Sequence, residues 1–155
     1  GYRYYFGKNG AAYQADPYMV GKYGILIKKI GTQYYGFDVN GHTVKGIRVG
    51  RINMYDAQKL YYFNPKTGAV DTKKTNLYRK YAAASTMTKK NNAAKIKKVL
   101  GKYKKCTISK EDTCMLGGNG KDVTYVYDYV ELNVVRPTGK GSSAEIVSSV
   151  SVRQG

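Results

Sequence analysis

The feature that most constrains this chain is a pair of adjacent tyrosines followed by a glycine-containing turn, which occurs three times in the first 70 residues. The pairs are Tyr4 with Tyr5, Tyr34 with Tyr35, and Tyr61 with Tyr62. Tyrosine is typical of β-strands, and the Asn and Gly residues behind each pair supply the left-handed conformations that tight turns need. Each copy therefore predicts a short β-hairpin whose first strand is aromatic.

A repeated hairpin predicts how the first half of the chain is organised. A single two-stranded hairpin is only marginally stable in water, so neighbouring copies are expected to stack and to bury one another's rings, as in a solenoid. Residues 23–28 and 46–49, between the hairpins, read as further strands. The sequence thus predicts a mainly β, solenoid-like hairpin-repeat segment over residues 1–80. Flat aromatic faces left in the grooves between hairpins would suit sugar rings or quaternary ammonium groups.

The stretches YYFGKNGAA, YYGFDVNGHTVKG and YYFNPKTGAV resemble the cell-wall-binding repeats of Gram-positive surface proteins, the group that includes choline-binding and glucan-binding repeats. The resemblance covers residues 1–76 and implies a hairpin solenoid that binds choline-bearing wall polymer or carbohydrate between its repeats. The aromatic residues that it implies as ligand contacts are Tyr4, Tyr5, Tyr34, Tyr35, Phe37, Tyr61, Tyr62 and Phe63. Choline-binding repeats use Trp, and this chain has none. An alternative therefore stays open, in which the tyrosines serve only as packing between hairpins.

A lysine-rich helix is predicted after the repeats. Residues 91–100 place apolar side chains at helical spacing, with Asn91 or Asn92 as the N-terminal cap and Gly101 as the terminator. Eight lysines and no acidic residue lie between residues 89 and 105, in a chain of net charge +17. The candidate contacts for a polyanion are Lys95, Lys97, Lys98 and Lys102. The alternative is an ordinary solvated helix face. Nucleic acid is disfavoured because no arginine and no recognition motif accompany these lysines.

Residues 88–155 predict a small α+β domain in which this helix packs on a four-stranded antiparallel sheet. Cys106 and Cys114 have the spacing of two arms of one hairpin, which leaves either a disulfide or two reduced thiols. The stretches AAKIKKVLGK, KCTISKEDTC and VTYVYDYVELNVV are similar to β-lactamase-inhibitor proteins and to BamE-like (SmpA/OmlA) lipoprotein domains. This second resemblance implies a role in binding other proteins or as an envelope scaffold. A disulfide in the inhibitor modules implies a Cys106–Cys114 pair here.

No catalytic, metal or cofactor set is recognised in the sequence. His42, the single histidine, lies beside a predicted turn, and the ten acidic residues have no paired spacing. No apolar run approaches the roughly 18 residues of a membrane-spanning helix. We therefore expect a non-catalytic, secreted or surface-attached bacterial protein, with any export signal upstream of Gly1, that binds cell-wall carbohydrate or a teichoic-acid-like polymer. The alternatives are a structural or protein–protein interaction module with no small ligand, and polyanion or nucleic-acid binding through the lysine-rich segment.

Overall fold

The computed structural model describes residues 2–53, 55–83 and 93–155. Within these residues the chain forms two four-stranded β-sheets and three short α-helices. The first half contains helix α1 (Pro17–Val20), strands β1 (Ile25–Ile30), β2 (Gln33–Phe37), β3 (Gly46–Arg51) and β4 (Lys59–Phe63), and helix α2 (Thr72–Ala82). The second half contains helix α3 (Ala94–Leu100) and strands β5 (Lys105–Asp112), β6 (Gly120–Val126), β7 (Val130–Pro137) and β8 (Ile146–Val152).

The first sheet is mixed, with strand order β2-β1-β3-β4, and its central strands β1 and β3 run parallel. The solenoid prediction is therefore wrong. Ile25, Ile27 and Val49, which lie between the hairpins, are almost completely buried. Their strands β1 and β3 pair with each other at the centre of the sheet, so the tyrosine strands β2 and β4 lie at its edges and do not stack on one another.

The three predicted hairpins are present only as short turns beside this sheet. Their return strands are reduced to isolated bridges, in which Phe6 pairs with Ala12, Phe37 with Thr43, and Phe63 with Val70. The first hairpin and the residues after it join the second through hydrogen bonds from the N–H of Thr43 to the carbonyl of Arg3 (3.0 Å) and from the N–H of Ala15 to the carbonyl of Asp38 (2.9 Å). The repeats thus contribute edge strands and short turns to one open sheet, and they do not stack into a solenoid.

Gly36 explains why the middle copy reads Tyr-Tyr-Gly-Phe. A Cβ atom at this position would lie 2.7 Å from the Phe63 ring, 2.8 Å from Val44 and 2.9 Å from Ile25. Contacts below about 3 Å cannot be accommodated in a packed core without displacing neighbours. The glycine therefore makes room for the aromatic ring of the third copy.

The lysine-rich helix is the one helix that the sequence predicts, and this part of the fold prediction is also wrong, because α2 is a second helix of 11 residues. Asp71 caps it by accepting a hydrogen bond from the N–H of Lys74 (2.9 Å). The Arg79 Nε donates to the Leu60 carbonyl (2.7 Å), and the Tyr62 N–H donates to Thr75 Oγ1 (3.0 Å). These bonds fix α2 against β4. Seven of its eleven residues are polar or charged, which leaves few apolar positions to indicate a helix in the sequence.

The second sheet is an antiparallel meander in the order β5-β6-β7-β8, and α3 packs on one of its faces. The predicted helix caps Asn91 and Asn92, and the predicted start of the second domain at residue 88, lie outside the described residues. Ala93 is fully buried, and its N–H donates to the carbonyl of Glu145 (2.8 Å). This bond ties the start of α3 to the beginning of β8.

The two cysteines are free thiols in this structure, whose geometry does not join them in the disulfide that the second resemblance implies. They do not lie on two arms of a hairpin, because β5 continues from Cys106 almost to Cys114. Cys106 is opposite Tyr125 on β6, whereas the backbone next to Cys114 pairs with Gly120. That offset of five residues corresponds to about 17 Å along the strand. A disulfide requires Cα atoms within about 7 Å.

Apolar side chains from both halves share buried clusters. Leu60 of β4 and Tyr78 of α2 pack in the cluster that α3 forms with β6 and β7. Val49 of β3 packs with Val130 and Val152 of the second sheet. The proposed division into residues 1–80 and 88–155 stays a prediction. In the described parts of the chain, no helix is long and apolar enough to cross a membrane.

Candidate functional site

The aromatic residues predicted to bind ligand divide by their exposure. Phe37 and Phe63 are fully buried and Tyr61 nearly so, so their faces are unavailable to a ligand. Tyr5, Tyr35 and Tyr62 are half-buried, and Tyr4 and Tyr34 are exposed.

Packing accounts for most of these rings. Tyr5 contacts Tyr35 (ring centroids 5.2 Å apart) and Phe37 (5.9 Å), which joins the first and second hairpins. A groove of about 400 Å³ lies between the second and third hairpins, but Tyr35 is the one predicted aromatic that lines it. The predicted set therefore does not come together as a single aromatic cage.

The lysines predicted to contact a polyanion divide into three that are exposed and one that is held in an internal ion pair. Lys95, Lys98 and Lys102 are exposed. The Lys97 ammonium is paired with the buried Glu145 carboxylate at 2.8 Å and also donates to the Ser142 carbonyl (3.2 Å). Lys97 is therefore part of the internal structure of the second half, although the sequence analysis treats it, like the neighbouring lysines, as a candidate contact for a polyanion.

Four cationic side chains from separate segments surround a cavity of about 550 Å³ that we call the basic cleft. They are Arg3, Lys45, Arg48 and Lys66. Arg3 precedes the first hairpin, Lys45 and Arg48 lie at the start of β3, and Lys66 lies in the turn after β4. A cleft lined mainly by one sign of charge concentrates ligands of the opposite sign.

Arg48 is the central residue of the cleft. Its side chain is only 7 % exposed, and its guanidinium carbon lies 3.3 Å from the ring centroid of Tyr129, in the turn between β6 and β7. The buried Nε has no hydrogen-bond partner, and no carboxylate among the described residues forms an ion pair with it. Burial lowers the pKa of Arg48, although the charges of Tyr129, Asp38 and Asp128 act in the opposite direction. A buried cation without a paired anion is costly unless something else compensates it.

Asp38 is the carboxylate that lines the basic cleft, and its oxygens are used within its own turn. Its Oδ1 accepts hydrogen bonds from the N–H groups of Asn40 and His42, both at 2.9 Å. Its Oδ2 lies 3.5 Å from Nδ1 of His42. Because this carboxylate shapes the turn after β2, it leaves the Arg48 guanidinium without a close anionic partner.

Aromatic rings form two walls of the cleft. The Tyr2 ring stacks on His42 with centroids 3.9 Å apart, and Tyr4 meets His42 edge-on at 5.2 Å. Tyr129 also lines the cleft, and its ring contacts Tyr23 at 6.1 Å. Arg48 and Tyr129 line, together with Tyr23, a smaller neighbouring cavity of about 210 Å³. The cleft can thus offer cations to an anionic group and ring edges to a sugar or polyol.

The sequence interpretation missed Arg48, Tyr129 and the cleft itself. One signal was available, since Arg48 is a charged residue directly between Ile47 and Val49 within a strand. Nothing in the sequence indicates that Tyr129, 81 residues later, would lie over it. Only the packing of the second sheet against β3 brings the two side chains together.

A second charged cluster surrounds Glu145, which is fully buried between α3 and the second sheet. Its carboxylate accepts hydrogen bonds from the Tyr125 hydroxyl (2.9 Å) and from Arg136 Nε (2.9 Å), and it is paired with Lys97. Burial, followed by the bond to Glu145, raises the pKa of Tyr125, and the bond to Glu145 raises the pKa of Arg136. Every charge in this Glu145 cluster has a partner, so it serves to fasten α3 to the sheet.

No family model, curated protein or solved structure matches this chain. The functional conclusion therefore depends on the residues of the basic cleft and on the two resemblances described above.

Proposed function

We propose that this protein is a non-catalytic binding protein for cell-wall glycan or an anionic wall polymer, and that the basic cleft holds this ligand. The observation that carries the proposal is Arg48, a nearly buried guanidinium without a paired carboxylate at a cavity lined by three further cations. A bound anion would supply the missing charge. The similarity of residues 1–76 to cell-wall-binding repeats supports a wall polymer as the source of that anion.

The composition of the cleft supports a ligand that is both anionic and rich in hydroxyl groups. Arginine and lysine bind phosphate or carboxylate oxygens through charge-assisted hydrogen bonds. Tyr2 and Tyr129 both supply aromatic surface to a cavity whose volume is within the usual range for small-ligand sites. A location outside the cell, either secreted or attached to the surface, is part of this proposal because the ligand is found there.

Of the predicted aromatic residues, Tyr4 is the one in contact with a wall of the cleft, through its edge-on contact with His42. Tyr34 is exposed and can extend a contact along the first sheet. The remaining members pack between hairpins or in the core. The proposal therefore moves the main binding role from the tyrosine pairs to Arg48 and its neighbouring cations.

Co-sedimentation with purified Gram-positive cell wall tests the proposal. The protein is expected to pellet with the wall at about 50 mM salt and to be released substantially by about 200 mM, because charge-driven binding to a polyanion is steeply salt-dependent. Arg48→Met is expected to weaken binding at least about tenfold. Failure of the unaltered protein to pellet at low salt would reject the proposal.

Lys140→Met is the matched control for loss of one positive charge. Lys140 is exposed and follows β7, at the opposite end of that strand from Tyr129. It is expected to change binding less than about twofold. Equal effects of the two substitutions would mean that net charge, and not the basic cleft, determines the interaction.

A further inference from the structure

We infer that the basic cleft is a phosphate site, and that its ligand is a phosphodiester-linked polymer of sugar or polyol units. This inference rests on the proposed function and narrows its ligand from any wall glycan to one chemical class. It also assigns Arg48 as the residue that determines specificity, with Arg3, Lys45 and Lys66 as further contacts.

The number of cations argues against a neutral glycan. Four positive side chains converge on one cavity, and the carboxylate in its lining, Asp38, is held by its own turn. A neutral sugar would displace water from the cleft while leaving Arg48 unpaired, which increases the cost of its burial. Binding is favourable only if the ligand brings negative charge to the guanidinium.

The arrangement of the cations favours phosphate in a polymer. Arg3 and Lys66 come from two different segments, and Lys45 and Arg48 come from a third at the start of β3, so no single element holds the cations that line the cavity. A polymer with a phosphodiester at every unit can place successive charges against successive cations. Arginine contributes a planar fork that matches phosphate oxygens, and lysine contributes a mobile point charge.

The aromatic walls favour a polyol or sugar backbone over nucleic acid. One face of Tyr2 is covered by His42 at 3.9 Å, and one face of Tyr129 is covered by the Arg48 guanidinium at 3.3 Å. Proteins that bind single-stranded nucleic acid present free aromatic faces on which successive bases stack. Each of these two rings therefore has at most one free face, and with His42 they are the aromatic residues that line the cleft, so it offers no series of free faces for successive bases. A short polyol needs no such series.

The experiment compares intact cell wall with the same wall after hydrofluoric acid has cleaved its phosphodiester-linked polymers. Binding to the treated wall is expected to fall at least about tenfold, and Arg48→Met is expected to bind both preparations at that low level. Equal binding of the unaltered protein to both walls would overturn the phosphate inference and leave the proposed function standing. No binding to either wall would reject both.

Competition tests the chemistry of the anion. Glycerol phosphate polymer is expected to release the protein from intact wall at a concentration at least about tenfold lower than polyglutamate of the same total charge. Equal potency of polyglutamate would overturn the preference for phosphate. Equal potency of a single-stranded oligonucleotide would overturn the preference for a polyol backbone.

Three further variants separate a binding role of Arg48 from a role in folding. Arg48→Lys keeps the charge but not the fork, and it is expected to lose about fivefold or more in affinity with an unchanged circular dichroism spectrum. Lys45→Met and Lys66→Met alter exposed side chains, and each is expected to lose about twofold to fivefold. Unchanged affinity in all three variants would overturn the assignment of the cleft.

Discussion

Among the residues that the structure describes, one charged side chain is buried in each half of the molecule, and the two are compensated in different ways. Glu145 in the second half is fully buried and has three partners, Tyr125, Arg136 and Lys97. Arg48 in the first half is 7 % exposed and stacks on Tyr129, but it has no ion-pair partner among the described carboxylates. A buried charge whose ion-pair partners lie within the fold stabilises the packing. A buried charge without such a partner, beside a cavity, can still pair with a ligand of opposite charge.

The difference follows from what each neighbourhood provides. Glu145 lies where α3, β6 and β7 all present donors, so its charge is neutralised within the fold. Arg48 lies where the nearest carboxylate, Asp38, already accepts two backbone N–H groups of its own turn. The four predictions below test this comparison, and they run from the largest expected effect to the smallest.

Glu145→Gln is expected to lower the free energy of unfolding by about 3–5 kcal/mol, because it leaves Arg136 and Lys97 without their anionic partner. Chemical denaturation followed by circular dichroism measures the effect. Glu111→Gln, at an exposed position on β5, is the matched control and is expected to change stability by less than about 0.5 kcal/mol. Similar stability of both variants would contradict the role of the Glu145 cluster.

Tyr125→Phe is expected to lower the free energy of unfolding by about 1.5–3 kcal/mol, since its hydroxyl donates to a buried carboxylate. The substitution keeps the ring and removes only the polar atom. Thermal and chemical denaturation should agree on the sign. A neutral or stabilising effect would mean that Arg136 and Lys97 satisfy Glu145 without this hydroxyl.

Tyr127→Phe is expected to have the opposite sign and to stabilise the protein by about 1 kcal/mol, because the buried Tyr127 hydroxyl has no hydrogen-bond partner. Burial raises the pKa of Tyr127 to about 12, from an ordinary value near 10. As pH rises, the Tyr127 hydroxyl therefore ionises first in the unfolded chain. The stability that comes from keeping this proton in the folded state is complete below pH 10 and is lost between about pH 10 and pH 12. Between pH 10 and pH 12, the free energy of unfolding should fall less steeply with pH in the variant than in the unaltered protein. The same steepness in both proteins would contradict the prediction.

Arg48→Met is expected to leave the free energy of unfolding within about 1 kcal/mol of the unaltered protein. Removing a buried cation relieves desolvation, and losing its stacking on Tyr129 costs about 0.5–2 kcal/mol, so the two effects offset each other. Denaturation in the absence of ligand measures the result. A loss of 3 kcal/mol or more would show that Arg48 is compensated within the fold, and the contrast with Glu145 would then disappear.

Strand positions could be read from local pattern, but their arrangement could not. The alternation of Val123, Tyr125 and Tyr127 marks one buried face, and all three side chains are buried in the structure. The tyrosine pairs mark strands β2 and β4, yet their repetition suggested stacking between copies. The parallel pairing of β1 with β3 depends on contacts between residues about 25 positions apart, and no local pattern of apolar residues indicates this pairing.

Helix α2 and the cysteines illustrate the same limit. A polar helix held by Asp71 and by bonds from Arg79 and Thr75 to β4 has little amphipathic signal of its own. The two cysteines have a spacing that suits a hairpin, but the strand between them continues without a turn. In both cases a distant partner strand decided the conformation of a locally ambiguous segment.

By itself, the sequence determined a strongly basic, tyrosine-rich β protein with turns at its glycines, because charge and local backbone preference are properties of the residues alone. The tertiary structure decided which charges are satisfied. Lys97 appeared as one of several surface lysines and became the partner of a buried carboxylate. Arg48 appeared as one residue in a strand and became an uncompensated cation under Tyr129, because compensation depends on side chains that only folding brings within a few ångströms.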